Sequence, residues 1–571
     1  MKGTRAGLIA VALVAIGLAA FLSQRGDGDG SSAPSPTVTV PTVSGTTPVA
    51  ADAIRLVFAF SPEKEDMLTE LFRRFNAEGV EVEGRPVVVE GQKWSSGDAE
   101  ARIAAGRFKP QIWSPSSSLW GRLLNFEADR PYVARDNPSL VRTPLVIAMW
   151  EPLARALGYP RRPIGFAKIL ELARERRGWA AYGKPTYGAF KLGHTNPDFS
   201  TSGLSFVAAQ YYTAAGKREG LTVADVDRPA IRAKVRKIQA SIVHYGDTTL
   251  FFADQLKANG PGYASAVAME EATLLDYNKT RPKGSLKLVA IYPSDGTFVS
   301  DNPVLLLDAP WVSAAQRAAG RRLATWLGQR IDAPLAARYG FRPGDPKVRA
   351  LAPITRANGA DPAQPARVLS LPEPRVLAKI RSAWREDRKP ANVMLVVDVS
   401  GSMLEDDKIG QAKVGLQGFL RALSPRDRVG LTTFSDEITR VVPVAPFGRN
   451  RERLRSTVDE LVAEGDTALY NGTDAGWRAI DALGDDSRIN AVVVLSDGQD
   501  TASSLRLDAV LRTLRSRSSG EGRQIRIFTI AYGRDATRDV LQSIADASGG
   551  KAYVGDPDEI EAVYRQISSF F

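Results

Sequence analysis

The sequence predicts an α/β fold built from more than one compact unit. Residues 393–397 and 491–495 are apolar throughout, as strands of a parallel sheet covered on both faces are, and helical stretches alternate with them. Residues 54–60 indicate another buried strand, and Ser61 and Pro62 with the acids that follow are typical of a helix start. A chain of 571 residues is too long for one hydrophobic core, so several units are expected.

Composition limits the chemistry that the chain can perform. The absence of cysteine excludes disulfides and thiolate metal sites, and only two histidines, His194 and His244, disfavour a multi-histidine zinc centre. The formal charge of +11 fits either attraction to an anionic surface or arginine used freely on solvated helices. We favour the second interpretation, because no basic stretch carries the interleaved aromatic residues of a nucleic-acid groove.

The first segment predicts export. Lys2 and Arg5 precede an apolar run over residues 6–22. The best cleavage site for a signal peptide, at residues 17–19, lies inside that run, so we expect a retained membrane anchor, with cleavage as the alternative. In either case the rest of the chain lies outside the cytoplasm.

Changes of composition divide the chain into five segments. A Gly/Ser/Thr/Pro-rich tether and a Pro/Ala-rich stretch cannot bury a core, so they separate the globular parts. The predicted segments are an anchor or signal (1–25), the tether (26–52), a first globular region (53–345), a linker with a helix (346–389) and a last domain (390–571).

The last domain alternates most clearly between strands and helices. Strands are predicted over residues 392–399, 428–434, 488–495 and 524–532, and helices over 408–423, 451–462, 475–483, 505–515 and 536–547. This pattern predicts a doubly wound, Rossmann-like sheet, which binds ligands beyond the carboxyl ends of its strands.

Polar turns follow two of these predicted strands. Asp398, Ser400 and Ser402 come at the end of the first, and Asp497 follows a later one. In a parallel sheet both turns lie on one edge, so their oxygens can converge on a hard cation such as Mg²⁺. The same residues could instead cap helices. Thr467, in a third loop between the two turns, favours the metal site.

Residues 390–571 resemble the von Willebrand factor A (VWA) family. Asp-Val-Ser-Gly-Ser at residues 398–402 matches the family's D-x-S-x-S, Thr467 matches its loop threonine, and Asp497-Gly498 matches its second aspartate. The resemblance implies a metal-ion-dependent adhesion site that holds Mg²⁺, or Mn²⁺ or Ca²⁺, through Asp398, Ser400, Ser402, Thr467 and Asp497. It also implies a protein partner whose carboxylate completes the metal shell, and binding rather than catalysis.

Residues 53–345 resemble bacterial extracellular solute-binding proteins of the type 2 periplasmic class. The resemblance depends on Ser61-Pro-Glu-Lys64 and on the stretches at residues 110–115, 194–203, 292–296 and 340–343. It implies two α/β lobes with a ligand cleft between them.

Polar residues near predicted helix starts indicate where a ligand would bind in such a cleft. Hydroxyls and free amides at a helix N-terminus suit a small polar or anionic solute. The candidates are Ser61, Trp94, Trp113, Ser114, His194, Ser200, Thr201 and Ser202. Each serine could instead be a simple helix cap, and His194 could be a structural hydrogen-bonding residue.

Three functions compete on this sequence. The first is a membrane-anchored binding protein whose metal domain binds a partner protein and whose lobes hold a solute. The second is the solute receptor of an ABC-type transport system with an accessory VWA domain. The third, an exported hydrolase, is disfavoured because G-x-S-x-G, H-E-x-x-H and P-loop motifs are absent. We expect no enzymatic activity and no nucleic-acid partner.

Overall fold

The computed structural model describes residues 52–518, 524–533, 536–555 and 560–571. The predicted anchor and nearly all of the predicted tether lie outside these ranges. Within them, no helix combines the length and the apolar character needed to cross a bilayer. All of the described residues belong to one compact unit.

Two sheets form the first globular region. Their strands are β1 (Ile54–Phe60), β2 (Glu81–Val82), β3 (Arg85–Lys93), β4 (Ile112–Ser114), β5 (Val141–Trp150), β6 (Leu192–His194), β7 (Ala266–Glu270), β8 (Leu288–Ile291), β9 (Val299–Ser300), β10 (Leu305–Leu306) and β11 (Arg342–Pro343). The first sheet has the order β10-β4-β1-β3-β2, with β1 parallel to β3 and β4. The second has the order β11-β5-β7-β6, with β8 and β9 paired to β5. Each sheet is the centre of one lobe.

Helices cover both sheets. They are α1 (Glu65–Ala77), α2 (Ser96–Ala104), α3 (Leu119–Glu127), α4 (Glu151–Ala156), α5 (Phe166–Arg174), α6 (Thr201–Ala215), α7 (Val223–Asp227), α8 (Pro229–Gln239), α9 (Thr249–Asn259), α10 (Glu271–Thr280), α11 (Ala314–Arg330) and α12 (Ala333–Arg338). Helix α1 buries Leu68, Leu71 and Phe75 on one face, as their spacing of three and four residues predicts. A 3₁₀ turn, Pro62–Lys64, precedes it.

The end of the chain forms a six-stranded sheet, which α13 (Pro374–Asp387) precedes. Its strands are β12 (Ala391–Asp398), β13 (Arg428–Phe434), β14 (Ile438–Pro446), β15 (Ile489–Ser496), β16 (Ile525–Tyr532) and β17 (Lys551–Gly555), in the order β14-β13-β12-β15-β16-β17. Its helices are α14 (Lys408–Ala422), α15 (Phe447–Asp459), α16 (Leu469–Asp481), α17 (Leu507–Ser518), α18 (Arg538–Ser548) and α19 (Ile560–Ser568). Only β14, which lies at one edge, pairs antiparallel with its neighbour. The predicted doubly wound α/β fold is confirmed.

Strands β12, β15 and β16 are buried at every residue, which explains their apolar sequences. The structure also contains β14, β17 and α19, which the sequence analysis did not predict. Strand β14 includes two prolines, which interrupt its apolar residues, and only Val442 is fully buried, so it lacks the continuous apolar run on which strand prediction depends.

The C-terminal sheet packs on the two-lobed region through its amino edge, where its parallel strands begin. Gln524, just before β16, donates to the carbonyl of Gly262 (3.2 Å), and the carbonyl of Gly550, just before β17, accepts from Gln255 (3.4 Å). Arg388, after α13, pairs with Asp427, just before β13 (2.7 Å). The carboxyl edge of the sheet therefore lies at the opposite end from these contacts.

Phe570 anchors the same interface at the end of α19. Its carbonyl accepts from the amide of Tyr245 (3.3 Å), and its ring packs against Phe251 and Phe528, with centroids 5.0 and 4.7 Å away. One aromatic side chain therefore joins a strand of the C-terminal sheet to a helix of the two-lobed region.

We expect Phe570→Ala to lower the free energy of unfolding by about 3 kcal/mol, because it leaves a cavity between packed aromatic rings. Phe126→Ala is the matched control, since Phe126 is 49% exposed and its loss should cost less than about 0.5 kcal/mol. Urea unfolding followed by circular dichroism measures both. Equal midpoints for the two variants would contradict the assigned role of Phe570.

Candidate metal centre and interlobe cleft

Asp398 ends β12 at the carboxyl edge of the C-terminal sheet and is fully buried. Its Oδ1 accepts from the backbone amide of Ser400 (2.9 Å), and its Oδ2 accepts from the hydroxyl of Ser496 at the end of β15 (2.6 Å). Two neighbouring strands therefore orient this carboxylate. Burial raises the pKa of Asp398 to about 6, and the nearby charge of Asp497 adds to the increase, so a cation here would stabilise the ionised form.

Ser400, Ser402 and Asp497 place their oxygens close together at this edge. The two serine Oγ atoms are 3.1 Å apart, and Ser402 Oγ donates to Oδ1 of Asp497 (2.8 Å). Asp497 is 1% exposed. These side chains come from the loops after β12 and β15, which meet because neighbouring parallel strands end at the same edge.

Thr467 brings a third loop to the same place. Its amide donates to Thr501 Oγ1 (2.9 Å), and its carbonyl accepts from the amides of Thr501 (2.8 Å) and Ala502 (3.1 Å). A Cβ at Gly498 would lie 3.5 Å from Thr467 Oγ1 and 3.7 Å from Ser402 Oγ. The glycine therefore leaves open the space that these two hydroxyls border.

The structure thus brings the five predicted metal ligands to one edge of the sheet. In the part of the chain that the structure describes, no group of three or more His, Cys, Asp or Glu side chains has metal-binding geometry. Three of the five predicted metal ligands at this edge are hydroxyl groups. A set of two carboxylates and three hydroxyls fits a hard divalent cation that prefers oxygen.

Lys408 is a part of this centre that the sequence analysis missed. Its side chain is 5% exposed, and its Nζ lies 2.7 Å from Oδ2 of Asp497. Burial works against the charge of Lys408, but the hydrogen bond and attraction to Asp497 outweigh it and raise the pKa of the ammonium group. The only sequence signal was a lysine at the start of the helix that follows the D-x-S-x-S turn. Ser496 was not among the predicted site residues either, although it ends β15 directly before Asp497.

The cleft between the lobes is closed by direct hydrogen bonds. The amide of Gly97 donates to the carbonyl of Phe199 (2.8 Å), and the Trp120 indole donates to Thr201 Oγ1 (2.7 Å). Thr201 Oγ1 also lies 3.4 Å from Ser96 Oγ. The cavity beside these bonds has a volume of about 20 Å³, room for a single water molecule. A larger cavity of about 830 Å³ lies next to it between α1 and the second lobe, and Glu63 and Leu250 border both.

Three of the predicted ligand-binding residues, Ser61, Ser200 and Thr201, line the smaller cavity. Neither Ser61 nor Ser200 caps the helix that follows it with its side chain, so the simple capping interpretation does not describe them. Ser61 Oγ instead donates to Glu63 (2.5 Å), and Ser200 Oγ lies 3.1 Å from Ser202 Oγ.

The other predicted cleft residues lie elsewhere. Trp113 and Ser114 are fully buried on β4, and Trp94 packs against Phe108, with ring centroids 5.0 Å apart. Ser202 Oγ lies 2.8 Å from Thr195 Oγ1. The two tryptophans serve packing and Ser202 serves internal hydrogen bonding, whereas the buried hydroxyl of Ser114 has no hydrogen-bond partner among the described residues.

His194 is also fully enclosed. Its Nδ1 donates to the carbonyl of Thr195 (2.7 Å), and its Nε2 lies 3.1 Å from Gln239 Oε1. Burial lowers the pKa of His194 to about 4, against hydrogen bonds that favour the charged form. The structural alternative considered for this histidine agrees with these contacts.

Carboxylates line the cleft that the sequence analysis had assigned to a polar or anionic solute. Glu63, Asp247 and Glu270 border the smaller cavity together with hydroxyl groups. Burial raises the pKa of Glu270 to about 7, and the nearby charge of Glu63 contributes. Glu63 pairs with Lys64 (3.3 Å) and Asp247 pairs with Lys551, so of these three carboxyl groups only Glu270 lacks an ion pair among the described residues.

Helix α13 holds the two lobes together beside the cleft. Arg381, 6% exposed, pairs with Glu127 of the first lobe (2.9 Å) and with Asp198 of the second (3.1 Å). Its guanidinium also lies 3.5 Å from Glu100, a fully buried carboxyl whose pKa burial raises to about 8. A single side chain thus joins both lobes to the segment that leads into the C-terminal sheet.

This arrangement of two lobes followed by a doubly wound sheet defines the class of protein. The chain belongs to the bacterial extracellular solute-binding protein family, whose family model matches residues 56–342. The family model of the von Willebrand factor type A domain matches residues 392–566. Both resemblances seen in the sequence are confirmed.

Two curated relatives match different shares of the chain. An uncharacterized protein of Mycobacterium tuberculosis is 24% identical over 579 residues, covering 96% of this chain and 80% of its own length. Inter-alpha-trypsin inhibitor heavy chain H4 of Homo sapiens is 29% identical over 189 residues, covering 32% of this chain and 20% of its own.

Solved structures align with each part separately. A von Willebrand factor type A protein from Catenulispora acidiphila is 22% identical with a TM-score of 0.28, covering 32% of this chain and 43% of its own. A periplasmic thiamin binding protein is 10% identical with a TM-score of 0.42, covering 60% of this chain and 99% of its own.

We expect the protein to lose stability in acid partly through His194. The pKa of His194 is about 4 in the folded chain against 6.5 normally, so the unfolded chain binds the proton first as the pH falls. The contribution of His194 to the free energy of unfolding is therefore fully present above pH 6.5. It falls by about 3 kcal/mol as the pH drops to about 4.

In His194→Gln this part of the acid loss should disappear. Urea unfolding at neutral pH and at about pH 4.5 measures the difference between the two proteins. His244, whose pKa burial lowers to about 3, acts in the same direction and stays as an internal reference. If acid lowered the free energy of unfolding equally in both proteins, protonation of His194 would not destabilise the fold, and the prediction would be wrong.

Proposed function

We propose that this protein is a binding protein whose VWA domain holds a divalent cation and, through it, a carboxylate of a partner protein. The observation that carries the proposal is the convergence of oxygens from three loops at the carboxyl edge. Asp398, Ser400, Ser402, Thr467 and Asp497 would hold the ion. We propose Mg²⁺, with Mn²⁺ or Ca²⁺ as substitutes, because all of the donors are hard oxygens.

The bound ion would supply positive charge and a coordination position for an anionic oxygen of the partner. The chain's own residues keep the site ready for it. Ser496 and the amide of Ser400 fix both oxygens of Asp398, and Lys408 fixes Oδ2 of Asp497 so that Oδ1 is directed to Ser402. Fixed carboxylates lose little conformational freedom when an ion arrives, which favours binding.

The position of the metal edge supports a protein partner. The two-lobed region contacts the sheet at its amino edge, so the opposite edge is free for a large molecule. We propose that the lobes and α13 form a rigid support that presents this edge. We further propose that the apolar segment 6–22 anchors the chain in a membrane, with residues 52–571 outside the cytoplasm, and that the protein is not an enzyme.

For the cleft we propose a small polar ligand that is neutral or cationic, held by Ser61, Ser200 and Thr201. The carboxyl group of Glu270, which forms no ion pair among the described residues, supports a neutral or cationic ligand over the anion considered from sequence. A ligand larger than water that reached Ser200 and Thr201 in the small cavity would have to separate the lobes there, which breaks the hydrogen bonds between Trp120 and Thr201 and between Gly97 and Phe199.

We expect Asp398→Ala to abolish Mg²⁺ and Mn²⁺ binding while the chain stays folded, because water replaces a hydroxyl ligand but not a negative charge. Ser496→Ala should weaken the affinity about tenfold, since Ser496 only orients Asp398. Thr467→Ala should weaken binding of a protein partner more than binding of the metal. Titration calorimetry of the full chain with each metal measures the first two effects.

Glu452→Gln is the matched control, since it removes one exposed carboxylate from the same domain outside the metal loops. It should bind metal as the wild type does. Equal metal uptake by the wild type and Asp398→Ala would refute the proposed metal site.

A further inference from the structure

A groove lies directly beside the candidate metal centre. It runs between the β13–β14 edge of the sheet and the segment after α15, and it has a volume of about 620 Å³. Val399, the residue after Asp398, forms part of its floor. The carbonyl of Val399 accepts from the amide of Glu464 (2.7 Å), and the carbonyl of Gly465 accepts from the amide of Gly401 (2.9 Å). The groove wall is thus bonded to the metal loop itself.

Exposed carboxylates surround this groove. Asp436, Glu437, Glu460 and Glu464 line it, and all four are exposed. None of them forms an ion pair with another part of the chain that the structure describes. On the β14 side, Arg453 donates to the carbonyl of Val441 (3.2 Å).

The far side of the metal loop is acidic as well. Glu405, Asp406 and Asp407 are exposed there, and of these only Glu405 lies near a cation, 3.4 Å from Lys408. The chain as a whole carries a formal charge of +11, so this edge has the opposite sign to the average surface. Seven exposed carboxylates next to a site that takes a carboxylate would repel a purely acidic ligand.

Apolar side chains are exposed on both sides of the metal loop. Val462, which lines the groove, is 70% exposed, and Leu404, next to Glu405 on the far side, is 62% exposed. Val462 therefore offers apolar contact area to a partner within the groove.

We propose that this groove binds a basic segment of the partner protein, and that this segment carries the one carboxylate that reaches the metal. Its Lys or Arg residues lie along Asp436, Glu437, Glu460 and Glu464, and an apolar residue packs on Val462. The inference rests on the proposed function, because the carboxylate contact is assigned to the metal. Charge complementarity in the groove then selects among the many carboxylates that could reach the ion.

The first experiment selects short random peptides, displayed on phage, against the immobilised full chain in Mg²⁺, and elutes them with EDTA. We expect the eluted peptides to carry one Asp or Glu flanked by Lys or Arg. Eluted peptides with an acidic residue but no enrichment in basic residues would overturn the groove inference and leave the proposed function intact. If EDTA releases no enriched peptides, the proposed function fails and the inference fails with it.

The second experiment compares an enriched peptide with a version whose basic residues are replaced by Gln, using fluorescence anisotropy. We expect the basic version to bind about tenfold more tightly, the combined effect of four exposed ion pairs, and the preference to shrink at high salt. In the variant Asp436→Asn/Glu437→Gln/Glu460→Gln/Glu464→Gln the preference should nearly vanish. Retention of the preference in that variant would contradict the groove assignment.

A matched control removes the same number of charges far from the groove. The variant Glu81→Gln/Asp136→Asn/Glu219→Gln/Glu373→Gln neutralises four exposed carboxylates outside the C-terminal sheet, so its net charge equals that of the groove variant. It should keep the preference. Loss of the preference in both variants would show an effect of total charge and would overturn the inference. Basic peptides that bind Asp398→Ala as tightly as the wild type would show that no metal is needed and would also overturn it.

Discussion

The arrangement of side chains at the carboxyl edge of the C-terminal sheet depends on two buried carboxylates. Asp398 and Asp497 are 0% and 1% exposed, and burying two like charges is unfavourable unless each is compensated. The structure supplies the backbone amide of Ser400, the hydroxyls of Ser402 and Ser496, and the ammonium of Lys408. These partners include one cation for two carboxylates, so part of the negative charge stays uncompensated, and the proposed divalent cation would balance it.

The opposite edge of the same sheet is where the domain joins the rest of the chain. Its contacts there combine ion pairs such as Arg388 with Asp427 and aromatic packing around Phe570. Helix α13 extends this connection to both lobes through Arg381. The separation of the two edges means that one holds the domain in place while the other remains accessible to a partner.

The cleft shows where inference from sequence was incomplete. Hydroxyl residues near predicted helix starts led to the prediction of Ser61, Ser200 and Thr201, and these three residues border the small cavity. The same reasoning could not show that the Trp120 indole would donate a hydrogen bond to the hydroxyl of Thr201. It also could not show that Glu63 and Glu270 would border the cavity. Those contacts join residues of different lobes, and no local pattern in the sequence records which residues the closure of the lobes brings together.

The sequence by itself determined which turns of the C-terminal domain carry the acidic and hydroxyl side chains, because apolar strands and the D-x-S-x-S motif are local patterns. Buried strand β13 begins and ends where its residues predict, whereas the exposed edge strand β14 carries no such signal. Only the tertiary structure decided that Lys408 would pair with Asp497 and that Arg381 would join the lobes. Charged side chains look alike in a sequence, and their roles depend on which distant carboxylates the fold places within reach.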